Sequence, residues 1–527
     1  MTRSLTQSMS TLHTWSGLLL GWVLFAIFLT GTLAVFDKEI SWWMQPELAD
    51  RSSSAAEAAN VAQRWLAAHH PDESNWNVSL PNERSPALAV SVGERRRGSG
   101  GDLTHLDPVT GETVEPRKTI GGNFFFRFHF TLNMPRLLGV WMVGFAAMAM
   151  LVALISGIVI HKKFFKEFFT FRPAKGQRSW LDAHNASAVL LLPFHLMITY
   201  TGLVIFFLLY MPAAVDALYA GDRQAYLRDA QPAGAAEPSR PQPQAPRGPD
   251  REQALDAPQA PLVALGNIVS QAEAHYGRGM LGGLAVSNPG HANAEVTARP
   301  VLGSRIELTK GEGLVFNGAT GELIRAPQAS RTSQLTQRVM AGLHFAQFGG
   351  YPMRWLYFLC GLVSSAMIAT GLVLYTVKQR RQAKANPTFL RLVEILNVTA
   401  VAGLSVACIA LLWGNRVLPA EMPGRESWEL RVFFGVWALS MLHAWLRQPM
   451  QAWREQLYLA AALALSLPLL DLATGGLDGD GTRLGLLTGV ALMGLLLGWT
   501  AWKIPAVVAA RKARAASLKR PVQEVSS

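Results

Sequence analysis

Long apolar runs recur along the chain and are separated by polar segments. One helix across a hydrocarbon core of about 30 Å needs about 20 residues. The runs predict eight membrane spans, at about 13–36, 136–160, 184–210, 353–377, 392–414, 428–446, 455–473 and 484–507. The first run is too long for a signal peptide and lacks a small-residue cleavage site, so we expect a retained anchor. The pattern predicts a mainly α membrane protein.

The polar loops predict the orientation of these spans. Segments 161–183 and 378–391 carry six and five Lys or Arg residues, and 511–520 carries five more. Because basic loops stay on the cytoplasmic side, we expect both termini in the cytoplasm. Aromatic residues beside the first two spans predict a belt at the membrane interface; they include Trp42, Trp43, Phe124, Phe125 and Phe128.

Composition supports a lipid bilayer as the surroundings and excludes several kinds of site. Half of the residues are hydrophobic, and mean hydropathy is +0.19. We attribute the net charge of +12 to cytoplasmic loops and expect no nucleic-acid partner. The two cysteines, Cys360 and Cys408, both lie in apolar runs. They provide neither a disulfide framework nor a zinc or iron–sulfur site.

Two long segments on the far side of the membrane, 37–135 and 211–352, are large enough to fold. In each, a helix-like stretch precedes strand-like pieces, and the turn sequences LDPVTGETV and VFNGATGELI come last. They predict two α+β modules, the second preceded by a Pro-rich insert at 231–261 that cannot bury a core. The expected organisation is helix 1 in 1–36, module 1 in 37–135, helices 2 and 3 in 136–210, module 2 in 211–352, helix 4 in 353–377, and four further helices with a basic tail in 378–527.

Histidine and glycine positions indicate that the first four spans and the two modules form a tandem repeat. The registered pairs are His13–Gly31 and His184–Gly202, 18 residues apart, and His129–Gly157 and His344–Gly371, 28 and 27 residues apart. Internal duplication of this kind defines the architecture before other interpretations apply. The glycines sit in the tripeptides LTG, ISG, YTG and ATG, where small residues allow close helix packing or leave room for a flat macrocycle.

The registered histidines are candidate axial ligands of haem iron. Coordinating side chains at membrane depth are costly and are functional candidates for that reason, and neutral imidazole suits haem iron. Matched depth predicts an inner pair, His13 with His184, and an outer pair, His129 with His344. A single histidine at a helix end also suits an interfacial or capping role. A proton relay would usually bring intramembrane Asp or Glu, which spans 1–3 lack.

Two further histidines, His195 and His161, fall outside the repeat and are weaker candidates. His195 follows His184 by 11 residues, so on one straight helix both would point the same way, about 16.5 Å apart. It would then ligate a further haem or donate a hydrogen bond. Pro193 lies between them and is expected to open the helix backbone locally. His161, beside two lysines, suits a haem ligand, a propionate contact or an interfacial residue.

Three stretches carry a resemblance to a known family: LHTWSGLLLGWVLFAIFLTGTL, WLDAHNASAVLLLPFHLMITYTGL and LHFAQFGGYPMRWLYFLCGLVSSAMIATGL. They resemble the PepSY-associated transmembrane helix proteins, which include iron-regulated inner-membrane proteins and ferric-siderophore reductases. The resemblance covers roughly residues 10–380. It implies a bacterial inner-membrane location, periplasmic PepSY modules and haem b between the first four helices. The family's histidines match His13, His129, His184 and His344.

The expected function is that of a transmembrane haem-b oxidoreductase, with two haems as the expected number. A quinol or a cytoplasmic reductant would donate electrons, and a ferric siderophore or another iron chelate would accept them in the periplasm. Two alternatives remain open at this point. The chain is a non-enzymatic PepSY sensor or regulator, or it is a subunit of an iron or siderophore uptake transporter. The Pro-rich insert and the four C-terminal helices depart from the family pattern.

Overall fold

A computed structural model of the chain describes residues 4–48, 53–93, 103–161, 177–229, 257–303, 305–308, 312–382, 386–475 and 481–517. Residues 231–256 of the predicted insert, 162–176 of the first basic loop and 518–527 of the basic tail lie outside the described residues. The chain divides into two compact units. The helical unit contains Met1–Met44, Lys118–Tyr200 and Leu356–Ser527, and the sheet unit contains Gln45–Arg117 and Thr201–Trp355.

Helices dominate the described residues. In chain order they are α1 (Leu5–Ala34), α2 (Asp37–Trp43), α3 (Ala55–His69), α4 (Asn123–Thr131), α5 (Arg136–Ile160), α6 (Gln177–Leu190), α7 (Leu192–Ile205), α8 (Phe207–Tyr210), α9 (Ala213–Tyr219), α10 (Arg223–Asp229), α11 (Leu265–Tyr276), α12 (Thr332–Phe345), α13 (Gly350–Gln379), α14 (Pro387–Val398), α15 (Leu404–Val417), α16 (Arg425–Leu446), α17 (Pro449–Gly475) and α18 (Gly481–Ser517). A π-helical turn, Thr399–Gly403, joins α14 to α15.

Six helices in the described part of the chain are long and apolar enough to cross a membrane: α1, α5, α13, α14 with α15, α17, and α18 as far as Ile504. The pair α6 and α7 meets the same criterion together, with a bend of 66° between them. The remaining predicted span, 428–446, coincides with α16, which begins with charged residues and does not meet the criterion. The chain is a multi-pass membrane protein, and the count of eight spans stays a prediction.

The bend between α6 and α7 changes the expected relation between two candidate histidines. The break falls at Leu191, two residues before Pro193, so the predicted opening of the helix at this proline is confirmed. A proline near the first turn of a helix is tolerated because the N–H it lacks would have no partner there. The expectation that His184 and His195 lie on one face of a straight helix is wrong, because the bend separates them.

The sheet unit contains a single antiparallel sheet with strands from both predicted modules. The strands are β1 (Asn75–Ser79), β2 (Leu88–Val92), β3 (Thr104–Leu106), β4 (Thr113–Val114), β5 (Leu281–Ser287), β6 (Glu295–Pro300), β7 (Leu314–Asn317) and β8 (Leu323–Arg325). Their order in the sheet is β4-β3-β2-β1-β5-β6-β7-β8. Each module is a four-stranded meander. The two meanders join where β1 pairs with β5, with Trp76 opposite Val286.

The two meanders also share one hydrophobic core. Leu66 of α3 and Ile268 of α11 are fully buried in the same cluster as Trp76, Leu284 and Phe316. Leucine, isoleucine and aromatic side chains removed from water in this way supply the main stabilising contribution of the unit. The structure therefore places the cores of the two predicted modules in one continuous cluster.

The same local chemistry closes both meanders. Asp107 Oδ1 accepts hydrogen bonds from the N–H groups of Val109 and Thr110 after β3. Asn317 Oδ1 accepts two equivalent bonds after β7. Each turn then uses a glycine with positive φ, Gly111 at 79° and Gly321 at 77°, where the absence of Cβ permits the left-handed conformation. The predicted turns between strands are confirmed.

Several aromatic residues predicted to line the membrane interface are buried instead. Phe124 and Phe128 of α4 pack edge-to-face on Phe433 of α16, with ring centroids 4.8 and 5.7 Å apart. Trp43 is 2% exposed, and the guanidinium of Arg416 lies 4.2 Å from its ring centre. The interface prediction is wrong for these residues because the C-terminal helices, whose packing the sequence did not reveal, cover them.

Candidate functional site

His13 on α1 packs on α5, near the end that is predicted to be cytoplasmic. Its Nδ1 lies 2.9 Å from the carbonyl oxygen of Ala153 and 3.2 Å from Ser156 Oγ. The ring rests against Gly157, where an added Cβ would lie 3.5 Å from Cε1 of His13. Since a carbonyl only accepts, the Nδ1 atom carries the proton and Nε2 carries the lone pair.

His184 on α6 makes the same arrangement with α13. Its Nδ1 lies 2.8 Å from the carbonyl oxygen of Met367. An added Cβ at Gly371 would lie 3.0 Å from Cε1 of His184, tighter than most real contacts. The carbonyl again fixes the tautomer, so Nε2 of His184 also carries the lone pair.

The rings of His13 and His184 lie close together, as the sequence predicts for an inner pair. Their centroids are 6.2 Å apart, and their planes make an angle of 71°. A metal ion held between two imidazoles, with metal–nitrogen bonds of about 2 Å, would separate the ring centroids by about this distance. The structure brings this predicted pair together.

His129 on α4 packs on α1 of the same repeat. Its Nδ1 lies 2.8 Å from the carbonyl oxygen of Ile27, and an added Cβ at Gly31 would lie only 2.6 Å from that nitrogen. Removal of the imidazole from water lowers the pKa of His129, although the bond to Ile27 acts in the opposite direction. The neutral ring that results is the form in which histidine binds metal.

His344 on α12 belongs to the sheet unit and packs on α7. Its Nδ1 lies 3.1 Å from Thr201 Oγ1, and an added Cβ at Gly202 would lie 2.9 Å from its Cε1. His129 belongs to the helical unit, so the pairing of His129 with His344 stays a prediction. The helices that carry these two histidines end alike, at left-handed residues Leu132 (φ 52°) and Ala346 (φ 51°).

We call each of these arrangements a histidine clasp: a histidine ring seated on a glycine of the facing helix, with its Nδ1 hydrogen-bonded beside that glycine. The clasps are His13 on Gly157, His129 on Gly31, His184 on Gly371 and His344 on Gly202. Each repeat therefore contains two reciprocal clasps. The sequence gives the recurring spacing, but it relates each histidine to the glycine that follows it in the chain. The structure shows that the glycine leaves room for a histidine ring from the other helix.

His195 makes a different contact from the four clasps. It is fully buried, and its Nε2 lies 2.9 Å from Ser364 Oγ on α13. The Ser364 hydroxyl donates to the carbonyl of Cys360 at 2.7 Å, so its oxygen accepts a hydrogen bond from the Nε2–H of His195. A protonated Nε2 has no lone pair for a metal, and this geometry favours the hydrogen-bond role for His195.

His161 follows α5 and is the last residue that the structure describes before Gln177. Its N–H donates to the carbonyl of Gly157, the seat of His13, at 3.1 Å. This position near the inner pair is consistent with each of the three roles that the sequence allows. In the described ranges of the chain, no group of three or more His, Cys, Asp or Glu side chains could hold a metal ion by itself. Two imidazoles alone suit a metal whose remaining ligands come from a macrocycle.

Two polar contacts that sequence reasoning missed tie the C-terminal helices to the repeat. Trp22 Nε1 on α1 donates to Asn397 Oδ1 at 2.8 Å, and Asn397 Nδ2 donates to the carbonyl of Leu372 at 3.1 Å. Asn397 is 2% exposed and directly precedes the last residue of α14. Leu372 follows Gly371, the seat of His184. Asn397 therefore links α14 to both helix pairs that form the inner site.

A second missed feature is a buried ion pair between Arg425 and Glu429 of α16. Both side chains are fully buried. Glu429 accepts from Thr119 Oγ1 at 2.8 Å, from the Ile120 N–H at 2.9 Å and from Asn415 Nδ2 at 2.8 Å. The charges of Arg425 and Glu429 beside an apolar segment could have suggested a buried ion pair, although not the residues that bond to Glu429.

The sequence profile of the PepSY-associated TM region matches residues 10–378. The match includes all four clasps and ends beside the last residue of α13. No curated protein matches the chain in sequence.

Proposed function

Because the chain belongs to the PepSY-associated transmembrane family, we propose that it is a haem-b oxidoreductase that passes electrons across the bacterial inner membrane to ferric chelates in the periplasm. The observation that carries this proposal is the inner pair. Two imidazoles from different repeats lie with their ring centroids 6.2 Å apart, each with Nδ1 hydrogen-bonded to a carbonyl.

A histidine that binds haem iron needs a hydrogen bond of this kind at its other ring nitrogen. A hydrogen bond from Nδ1–H to a carbonyl fixes the tautomer, orients the ring and makes the other nitrogen more basic. His13, His184 and His129 all have such a bond. His13 and His184 would hold one haem, and His129 and His344 are the proposed ligands of the second.

When bound, haem iron supplies reversible one-electron transfer. The residues of the chain orient the ligands and fix the tautomer of His13, His184 and His129. Reduction releases iron from a chelate because ferrous iron binds hard oxygen ligands far less tightly than ferric iron does. The electron donor would be a quinol or a cytoplasmic reductant, and the acceptor a ferric siderophore or a similar chelate.

The haem content of purified protein tests the proposal. We expect a reducible bis-histidine spectrum and about two haems per chain by pyridine haemochrome, as two ligand pairs require. Substitution His13→Ala or His184→Ala should remove one equivalent and leave the other. His443→Ala is the matched control, because His443 lies on α16 and bonds to Glu455 at 2.8 Å, away from any clasp.

Two outcomes separate this proposal from its alternatives. A protein that stays colourless after expression with added haem would be inconsistent with an oxidoreductase and would favour a sensor or a transporter subunit. Loss of haem from neither inner variant would refute the inner pair. If the outer pair is right, His344→Ala keeps the inner spectrum but slows reduction of a ferric chelate by dithionite-reduced protein in stopped flow.

A further inference from the structure

A hydroxyl residue directly precedes the glycine of every histidine clasp. The four are Thr30, Ser156, Thr201 and Thr370. In the sheet unit, Thr201 itself contacts His344. In the helical unit the hydroxyls donate to the carbonyls that accept from the histidines, and these contacts are the basis of the inference; Ser156 Oγ in addition lies 3.2 Å from His13 Nδ1.

At the inner pair, the hydroxyl and the histidine share one acceptor. Ser156 Oγ donates to the carbonyl of Ala153 at 3.0 Å, and His13 Nδ1 donates to the same oxygen at 2.9 Å. On the other repeat, Thr370 Oγ1 donates to the carbonyl of Met367 at 2.8 Å. His184 Nδ1 lies 2.8 Å from that oxygen. The arrangement is therefore repeated in both halves.

In the outer clasp on α1, the contact between the hydroxyl and the shared carbonyl is longer. Thr30 Oγ1 makes its short bond, 2.7 Å, to the carbonyl of Ala26 and lies 3.3 Å from the carbonyl of Ile27. The Ile27 carbonyl is the acceptor for His129. The distance from the hydroxyl oxygen to the shared carbonyl oxygen is therefore shorter in the two inner clasps than in this outer clasp.

Sharing limits how strongly the carbonyl can accept from the imidazole. A carbonyl oxygen has two lone pairs, and helix geometry also directs the glycine N–H to it. Three donors therefore compete at one oxygen. The strength of the Nδ1–H bond controls the basicity of the ligating nitrogen, and a more basic axial ligand favours ferric over ferrous iron. A hydroxyl on the shared carbonyl should accordingly keep the reduction potential higher.

We propose that Ser156 and Thr370 are positioning residues that set the donor strength of His13 and His184 by sharing the carbonyl to which each histidine donates. This inference rests on the proposed function, since the ligand strength acts on haem b. Close helix packing explains the glycine of each Ser-Gly and Thr-Gly pair, and this inference also explains the hydroxyl before it.

Redox titration of the purified protein, followed at the haem α-band, tests the inference. Thr370→Val keeps the side-chain shape and removes the hydroxyl, so the inner haem should shift to a lower midpoint potential. Thr370→Ser retains the hydroxyl and should titrate like the wild type. Thr376→Val is the matched control on α13, because Thr376 Oγ1 donates to the carbonyl of Val373 at 2.8 Å and no histidine shares that carbonyl among the described contacts.

Ser156→Ala is the second variant and should move the same haem in the same direction by a smaller amount, because it also removes the hydroxyl oxygen that lies 3.2 Å from His13 Nδ1. The ferric electron paramagnetic resonance spectrum gives an independent measure of axial ligand strength. Wild-type potentials in both Thr370→Val and Ser156→Ala would overturn the inference, as would an equal shift in Thr376→Val. A wild-type protein without haem would end both this inference and the proposed function, and that result appears before any variant is made.

Discussion

Gly31 on α1 faces the imidazole of His129 so closely that an added Cβ would lie 2.6 Å from Nδ1 and 2.8 Å from Cε1. Gly157, the seat of His13, leaves a distance of 3.5 Å to the nearest ring atom. The two seats therefore differ in how much space the glycine must provide. Two equivalent positions of one repeat should respond differently to the same substitution.

Gly31→Ala is expected to displace His129, because the ring cannot retreat without breaking its bond to Ile27. Overpacking of this kind costs about 1–3 kcal/mol. Gly157→Ala should be neutral or slightly stabilising, since alanine is favoured over glycine in a helix by up to about 1 kcal/mol. Thermal unfolding in detergent and haem content measure both effects.

Gly17→Ala on the same helix is the control for Gly31→Ala, because nothing lies within 4 Å of a Cβ there. The predicted outer haem should be lost only in Gly31→Ala. Equal behaviour of Gly31→Ala and Gly157→Ala would show that the seats do not act through contact with the rings.

A second prediction concerns His195 and its partner Ser364. Ser364→Ala removes the acceptor for His195 Nε2–H at a fully buried position. An unsatisfied buried donor costs about 1–3 kcal/mol, so the melting temperature should fall while the haem content stays complete. His195→Leu should also retain every haem. Loss of one equivalent in either variant would identify His195 as a ligand.

A third prediction concerns the buried pair Arg425–Glu429. Glu429→Gln puts donors against the Ile120 N–H and Thr119 hydroxyl and leaves the Arg425 charge without its carboxylate. Breaking a buried pair costs about 3–5 kcal/mol, and we expect a large drop in thermal stability.

Glu455→Gln is the matched control for Glu429→Gln. Its carboxylate pairs with Arg447 and is 38% exposed, and exposed pairs contribute about 0–1 kcal/mol. Similar melting temperatures for the two variants would mean that the Arg425–Glu429 pair does not anchor α16. The comparison changes one carboxylate to an amide in each case, so only the surroundings differ.

Local patterns predicted the elements of the fold well. Ala55–His69 and Leu265–Tyr276 form where the periodicity of small and apolar residues indicates helices. The spacing of His13 and His184 predicted that they would meet, and their rings lie together. The helices follow from composition and period, which are properties of short stretches, whereas the inner pair follows from the matched positions of the two repeats.

Features that depend on distant partners could not be predicted. Nothing in NWNVS or LGGLAVS indicates that β1 and β5 pair to merge the two meanders. The burial of Phe124 depends on Phe433, about three hundred residues away in the chain. The seat of each histidine is a glycine on another helix, and spacing along one helix cannot identify it. Such pairings are decided by tertiary packing rather than by local preference.

The pH dependence of the sheet unit provides a prediction independent of haem. His105 lies on β3, opposite Ala89 of β2, and among the described residues its buried Nδ1 has no hydrogen-bond partner. Burial lowers the pKa of His105 below its ordinary value of 6.5. The unfolded chain therefore binds more protons than the folded chain at pH values between the folded pKa and 6.5. The free energy of unfolding should stay constant above pH 6.5 and fall as the pH drops below it.

Hydrogen exchange of the intact protein, corrected for intrinsic rates, measures this effect as weaker protection of β2 and β3 at pH 5.5 than at pH 7.5. His105→Leu should abolish the difference in protection, because leucine has no group that takes up a proton on unfolding. His69→Gln should keep it, since His69 is exposed at the end of α3. Protection that is independent of pH in the wild type, or a difference that persists in His105→Leu, would assign the sensitivity of the sheet to another residue.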